Sequence, residues 1–300
     1  MAKNFSINEA NKAFINFYGR FFPLKNDKKI LVIIRILFMK YHSIKWDIFN
    51  LKQKIFKFFY ELLKKNKNIK TNLNFKISSI VNKDQKTYED LNNQGFTFIE
   101  DFFDDKTYMA LKENFPKFYN FRHSKNPIKS YYHSYIYDPV KKKTTIPDEN
   151  TNFAYNKLFN FLKSNEFENC FNKFLDNKNH PKEKFKFFSF NLTIKKYKSY
   201  LIPHQDGIVD KNFDNYNFIY FLEGNNSDIK FSAGTGIYED NEFKKPLLIP
   251  TNLNNGCLLY KSSNTHDFFH GFDIVKKDCF AKVFTFEMNN YELFNKLNIK

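Results

Sequence analysis

The chain has 300 residues, 42% of them hydrophobic, with 40 Phe, 18 Tyr and only 8 Gly and 9 Pro. That composition fills a core and excludes a collagen-like or low-complexity disordered protein. The formal charge is +16, and most of it falls in residues 1–70, where 16 Lys/Arg face 4 Asp/Glu, so an anionic partner such as a membrane surface or nucleic acid is expected at that end.

A general richness in Lys, Asn, Phe and Ile accounts for the many lysines but not for the shortage of acids in the first 70 residues. Cys170, Cys257 and Cys279 stand far apart with no CxxC spacing. They offer neither a disulfide framework nor a zinc knuckle, and a reducing cytoplasm is the expected location, with peripheral attachment to a membrane as its variant. The opening "MAKNFSINEANKAF" is polar and does not read as a signal peptide. The most apolar run, "ILVIIRILFM" (residues 30–39), is broken by Arg35 and falls short of the roughly 20 residues needed to span a bilayer.

In chain order, residues 1–82 form a basic segment expected to be helical. Between about 28 and 67, Ile44, Ile48, Leu51, Ile55, Phe58, Phe59 and Leu62 recur at three- and four-residue steps, with lysines on much of the other face. A helix packed on the body is the simpler account, and an interfacial helix on an anionic membrane is the other. The polar "KNKNIKTNLN" then reads as a linker. A second region, 83–300, opens with the alternating "GFTFIEDFF" and a helix from "DDKTYMALKENF", whose Asp104 and Asp105 suit a first turn. A basic aromatic stretch, residues 119–143, reads as a solvated loop or as the lining of a substrate mouth. No nucleic-acid-binding motif accompanies it, and nucleic acid is not the expected partner. Residues 151–176 give another helical pattern.

After residue 183 the texture changes. "FKFFSFNLTIKKY", "NFIYFLEG", "DIKFSAGTGIYED", "KPLLIPT", "GCLLYKSS" and "AKVFTFEM" are short, aromatic or β-branched, and separated by Gly, Asn and Asp. The expected fold class is α+β with a mostly β core: a jelly roll over about 183–290 with flanking helices.

One stretch of that core carries candidate chemistry. In "SYLIPHQDGIVD", His204 and Asp206 share a face if the segment is a strand, and can take adjacent positions on one metal. A third ligand must come from a distant strand, and "SSNTHDFFHGFDIV" offers His266 and His270. Two histidines and one carboxylate on one face of an octahedron leave three positions open, the arrangement of non-haem Fe(II) oxygenases. A chelating 2-oxoglutarate and O2 would fill them. Its far carboxylate needs a cation, and Lys282 begins the strand "KVFTFEM" with Phe284 and Phe286 on its face, so it is expected to project into an aromatic interior, at a cost that an anion would offset.

These residues together resemble the 2-oxoglutarate- and Fe(II)-dependent oxygenases, over roughly residues 85–290. "IPHQD" resembles the first ligand motif, "FFHGFDIV" the distal histidine motif and "AKVFTF" the basic strand, in a double-stranded β-helix. The resemblance implies His204, Asp206 and His270 as iron ligands and Lys282 as the 2-oxoglutarate anchor. It also implies a role toward the co-substrate for Tyr197, with Tyr200 as the competitor. A lysine at 282 is similar to the prolyl-4-hydroxylase-like members, and the Arg-x-Ser signature of plant-type members is absent, Phe284 standing where its serine would be. The implied activity is hydroxylation of a small-molecule or peptidyl substrate with release of succinate and CO2. The other expectations are a cupin-like metal enzyme that does not use 2-oxoglutarate, and a non-catalytic binding or membrane-docking protein on a degenerate jelly roll.

Overall fold

The computed structural model describes residues 85–118, 121–124, 129–138, 143–144, 153–175, 185–205, 215–225, 233–262 and 268–290, together with Ile48, Leu51, Lys52, Ile55 and Phe75. Most of the basic segment 1–82, and with it most of the expected apolar stripe, lies outside these residues. Ile48, Leu51 and Ile55 are helical but exposed, at 50%, 59% and 47%. The other four residues of the expected stripe lie outside the described residues. No helix among the described residues is long and apolar enough to cross a membrane.

The helices are α1 (Gln85–Gln94), α2 (Asp105–Glu113), α3 (Phe153–Leu162) and α4 (Asn165–Leu175). The expected start of α2 is built as read: Asp104 accepts hydrogen bonds from the Thr107 N–H at 3.0 Å and its hydroxyl at 2.8 Å, satisfying a donor the helix cannot. The helical pattern over 151–176 is two helices, because Ser164 interrupts it. Its hydroxyl donates to the Phe161 carbonyl and accepts from the Phe167 N–H, closing α3 and capping α4.

Strands β1 (Phe96–Ile99), β2 (Arg122–His123), β3 (Lys129–Ser130), β4 (Tyr132–Asp138) and β5 (Lys143–Thr144) precede the core. The eight core strands are β6 (Phe185–Lys195), β7 (Tyr200–His204), β8 (Asn215–Asn225), β9 (Gly236–Tyr238), β10 (Pro246–Leu248), β11 (Gly256–Ser262), β12 (Phe269–Phe272) and β13 (Phe280–Asn290). One sheet runs β1-β11-β8-β13-β6-β4-β2, with β5 beside β4, and the other runs β10-β9-β12-β7-β3. Within them β6 pairs with β13, β7 with β12, β8 with β11 and β9 with β10, all antiparallel. A long hairpin folded twice on itself gives this nesting. It is the double-stranded β-helix, with the short strands β2 to β5 added where a basic loop was expected.

The larger sheet makes apolar contacts on both faces, and its inner face mixes them with polar residues. Outward, Phe190, Phe218, Tyr220, Phe284 and Phe286 pack against the helical layer of Tyr155, Leu158, Phe159, Phe167 and Phe171. Inward, Ile219, Phe221, Leu258, Ala281 and Val283 meet Ile237 and Phe272 of the smaller sheet. Burying a phenylalanine is worth roughly 1.5–3 kcal/mol, so the outer layer strongly fixes which residues of β6, β8 and β13 face in.

Asn255 ties the loop after β1 to this sheet. Its side-chain oxygen accepts from the Phe103 N–H at 3.0 Å and the Tyr220 hydroxyl at 2.8 Å, and its amide donates to the Phe103 carbonyl at 2.8 Å. Its φ of 59° is a conformation asparagine tolerates better than most residues. The residue is 4% exposed, so truncation strands a buried N–H, a carbonyl and a hydroxyl. We expect Asn255→Ala to lower the unfolding free energy by about 2–4 kcal/mol, read from urea denaturation.

Candidate active site

Between the two sheets lies a cavity of about 220 Å³. Its walls are the inner face of the larger sheet and strands β3, β7 and β12 of the smaller one. The floor on β6, β8 and β13 is polar: Asn191, Thr193, Asn217, Thr285 and Glu287. Among the described residues, the buried Asn191 side-chain oxygen has no hydrogen-bond partner.

His204 and His270 sit in this cavity, on neighbouring strands. They are direct partners in the β7–β12 register, and their ring centroids are 4.3 Å apart at 49°. A break in the register brings His204 there. Leu201 and His204, three residues apart, both line the cavity, while Ile202 packs away with Tyr200. Strict alternation would have grouped Ile202 with His204. The register shifts opposite the His270–Phe272 step, and Pro203, with no N–H to give, stands in the shifted segment. Gly271 makes room for it: a Cβ there would lie 2.6 Å from the Leu201 carbonyl oxygen and 2.9 Å from the Pro203 Cα.

The His204 Nδ1 lies 2.9 Å from the Ile202 carbonyl. A carbonyl only accepts, so Nδ1 carries the proton, and in the neutral ring Nε2 holds the lone pair a metal needs. His270 is 6% exposed, and the Tyr260 ring lies 5.0 Å from it, centroid to centroid. Two imidazoles with adjacent positions suit a divalent first-row metal. Asp206 and His266 lie outside the described residues, and among those that are described no third acid, histidine or cysteine joins the pair.

The structure places the other candidate residues away from the cavity. Lys282 does share a face with Phe284 and Phe286, but that face looks toward the helices, not into the cavity. Its ammonium pairs with Glu223 Oε2 at 2.5 Å and lies 5.7 Å from the Phe115 ring centroid, and Lys112 of α2 reaches the other Glu223 oxygen at 3.3 Å. A register shift at Val283 sets Glu223 directly opposite Lys282. Tyr197 is 51% exposed on the turn after β6, and Tyr200 is buried with Ile202 in a separate apolar cluster. Neither lines the cavity.

Several lining residues went unread in the sequence. Lys129, Tyr131 and His133 bring part of the basic aromatic stretch to the cavity wall. Lys195 and Thr235 line it from β6 and the approach to β9. At the end of "NLTIKKY", Lys195 looks no different from Lys196, and alternation alone would place a lysine in that phase in solvent. Burial, aided by the nearby Lys129, Arg122 and His123, pushes the His133 imidazole down to about 4. It is therefore a neutral ring at physiological pH.

No protein-family model and no curated protein matches the chain. Among solved structures it is similar to a prolyl hydroxylase from Trichoplax adhaerens in complex with a hypoxia inducible factor peptide fragment. That match has 15% identity and a TM-score of 0.47 over 69% of this chain and 88% of the other. It is also similar to a 2OG-Fe(II) oxygenase family oxidoreductase from Burkholderia pseudomallei, with 10% identity and a TM-score of 0.48 over 72% and 93%. A third match is to a prolyl 4-hydroxylase from Phytophthora capsici, with 13% identity and a TM-score of 0.49 over 76% and 70%.

Two outcomes follow from this geometry. His133 binds its proton only near pH 4 when folded but near 6.5 when unfolded. Its neutral form thus supports the fold above pH 6.5, and that support is lost as pH falls from 6.5 to 4, by roughly 3 kcal/mol in total. His133→Asn should flatten the stability profile in that window, measured by urea denaturation at a series of pH values. Gly271→Ala should force β7 and β12 apart and lower the melting temperature by several degrees, measured by thermal denaturation.

Proposed function

We propose that the protein is an Fe(II)- and 2-oxoglutarate-dependent dioxygenase that hydroxylates a small-molecule or peptidyl substrate. The observation that carries this reading is the His204–His270 pair, held side by side on β7 and β12 in the cavity of a double-stranded β-helix. Asp206, two residues beyond His204 in the sequence, is the carboxylate that would complete the ligand set. Iron bound there would couple decarboxylation of 2-oxoglutarate to oxygenation of a substrate C–H bond, leaving succinate, CO2 and the hydroxylated product.

The chain's own residues do the rest. The Ile202 carbonyl holds the His204 ring in the tautomer that offers Nε2. Tyr260 lies against His270 and limits its rotation. Phe272, Ile219 and Val283 line the cavity with apolar surface, which keeps bulk water from the chelating atoms and strengthens the electrostatics between bound charges. Asn191, Asn217, Thr285 and Glu287 present hydrogen-bonding groups along the floor, so a substrate with polar groups of its own fits this cavity better than a hydrocarbon.

The test is an anaerobic titration of 2-oxoglutarate into the Fe(II)-loaded protein, read by the weak visible charge-transfer band of the chelate. We expect the band in the native protein. His270→Ala and His204→Ala should lose it and bind the metal at least about 100-fold more weakly, beyond the usual cost of removing an outer-sphere partner. Bound iron without a band would favour a metal enzyme that does not use 2-oxoglutarate, and a folded protein without iron affinity would favour a binding role.

A further inference from the structure

Lys195 closes β6 inside the cavity, 3% exposed. Its ammonium donates to the Thr235 hydroxyl at 2.6 Å and stands 4.2 Å from the Phe272 ring centroid and 5.3 Å from that of Phe221. Among the described residues no carboxylate pairs with it. Its neighbour Lys196, in the opposite phase of the chain, lies against the Phe118 and Tyr132 rings on the helix side of the sheet.

A buried ammonium facing one hydroxyl and two rings is poorly compensated. Burial depresses its basicity well below that of an ordinary lysine, and an anion brought into the cavity would reverse this. The other basic groups at the cavity are less suited. Lys129 is half-buried over the Tyr131 ring, His133 is neutral, and Lys282 is paired with Glu223 outside.

The position also has the right spacing. His270 and Phe272 are two residues apart on β12 and both line the cavity, so they stand about 7 Å apart along the strand. Lys195 lies against Phe272. A five-carbon dicarboxylate chelated at the histidine pair by its 2-oxo end would direct its far carboxylate there.

We propose that Lys195, with the Thr235 hydroxyl, is the anion anchor of this cavity and holds the distal carboxylate of the 2-oxo dicarboxylate co-substrate. The second half of this assignment rests on the dioxygenase reading. The first half rests on the buried ammonium alone. The anchor thus sits on the first core strand, not on the last, where Lys282 was expected to supply it.

The experiment uses the Zn(II)-loaded full chain, which binds without turnover, and isothermal titration with 2-oxoglutarate and with 2-oxobutyrate, which lacks the distal carboxylate. The native protein should prefer 2-oxoglutarate. Lys195→Met should weaken 2-oxoglutarate by about 10- to 100-fold, the cost of a charge-assisted hydrogen bond, and leave 2-oxobutyrate unchanged. Lys282→Met should leave both unchanged.

The metal-free Lys195→Met protein should melt at or above the native temperature, because an uncompensated charge has been replaced by an apolar chain of similar length. A lower melting temperature with equal loss of both acids would show a packing role and overturn the anchor. So would an unchanged preference for 2-oxoglutarate in Lys195→Met. If the native protein binds zinc but neither acid, or binds no zinc, thermal protection by malonate, sulfate and phosphate decides between the two halves. Protection that Lys195→Met abolishes keeps the anchor and removes the co-substrate reading, whereas no protection by any anion overturns both.

Discussion

The aromatic layer on the outer face of the larger sheet is the contact on which the positions inside the cavity depend. Phe218 stacks on Phe286 at 4.1 Å and Tyr220 on Phe284 at 4.5 Å, while Phe190 and Phe167 meet the same two β13 rings edge-on. These rings commit β6, β8 and β13 to one phase. A slip of one residue in any of the three would turn buried phenylalanines into a polar cavity and put its asparagines against the helices. With the phase held, Thr193 and Lys195, Asn217 and Ile219, and Val283, Thr285 and Glu287 must face inward.

The same constraint separates two lysines that look alike in the sequence. Lys282 belongs to the aromatic phase of β13 and meets Glu223, so its charge is balanced at the edge of the helical layer. Lys195 belongs to the inward phase of β6 and meets a hydroxyl and two rings. Ring contacts of this kind return roughly 0.5–2 kcal/mol each, against several kcal/mol for an ammonium taken out of water. The protein carries that imbalance in the same cavity as a pair of histidines.

The smaller sheet obeys a different rule. It is short-stranded and thin, and one irregularity decides its chemistry. The shift around Pro203 and the missing side chain at Gly271 let β7 change phase over a single step. His204 then faces its register partner His270 while Tyr200 and Ile202 remain in their own apolar cluster. The larger sheet supplies the floor of the cavity and the smaller sheet the paired imidazoles.

Sequence alone determined the class of fold and the principal segments: short aromatic strands after residue 183, the Asp104-capped helix, and a histidine in "IPHQD" with another in "FFHGF". These are local signals of alternation, capping and spacing, and each is written in residues next to one another. Which side of a strand becomes the inside is not local. Alternation groups Lys282 with Phe284 and Phe286 but leaves open whether aromatic rings line a cavity or a helical interface, and here the helices claimed them. Phase breaks are equally silent, since nothing in "YLIPHQ" announces that Leu201 and His204 will share a face. Only the tertiary structure decided these matters, because they depend on which layer buries the larger apolar area, and that layer is assembled from segments more than a hundred residues apart.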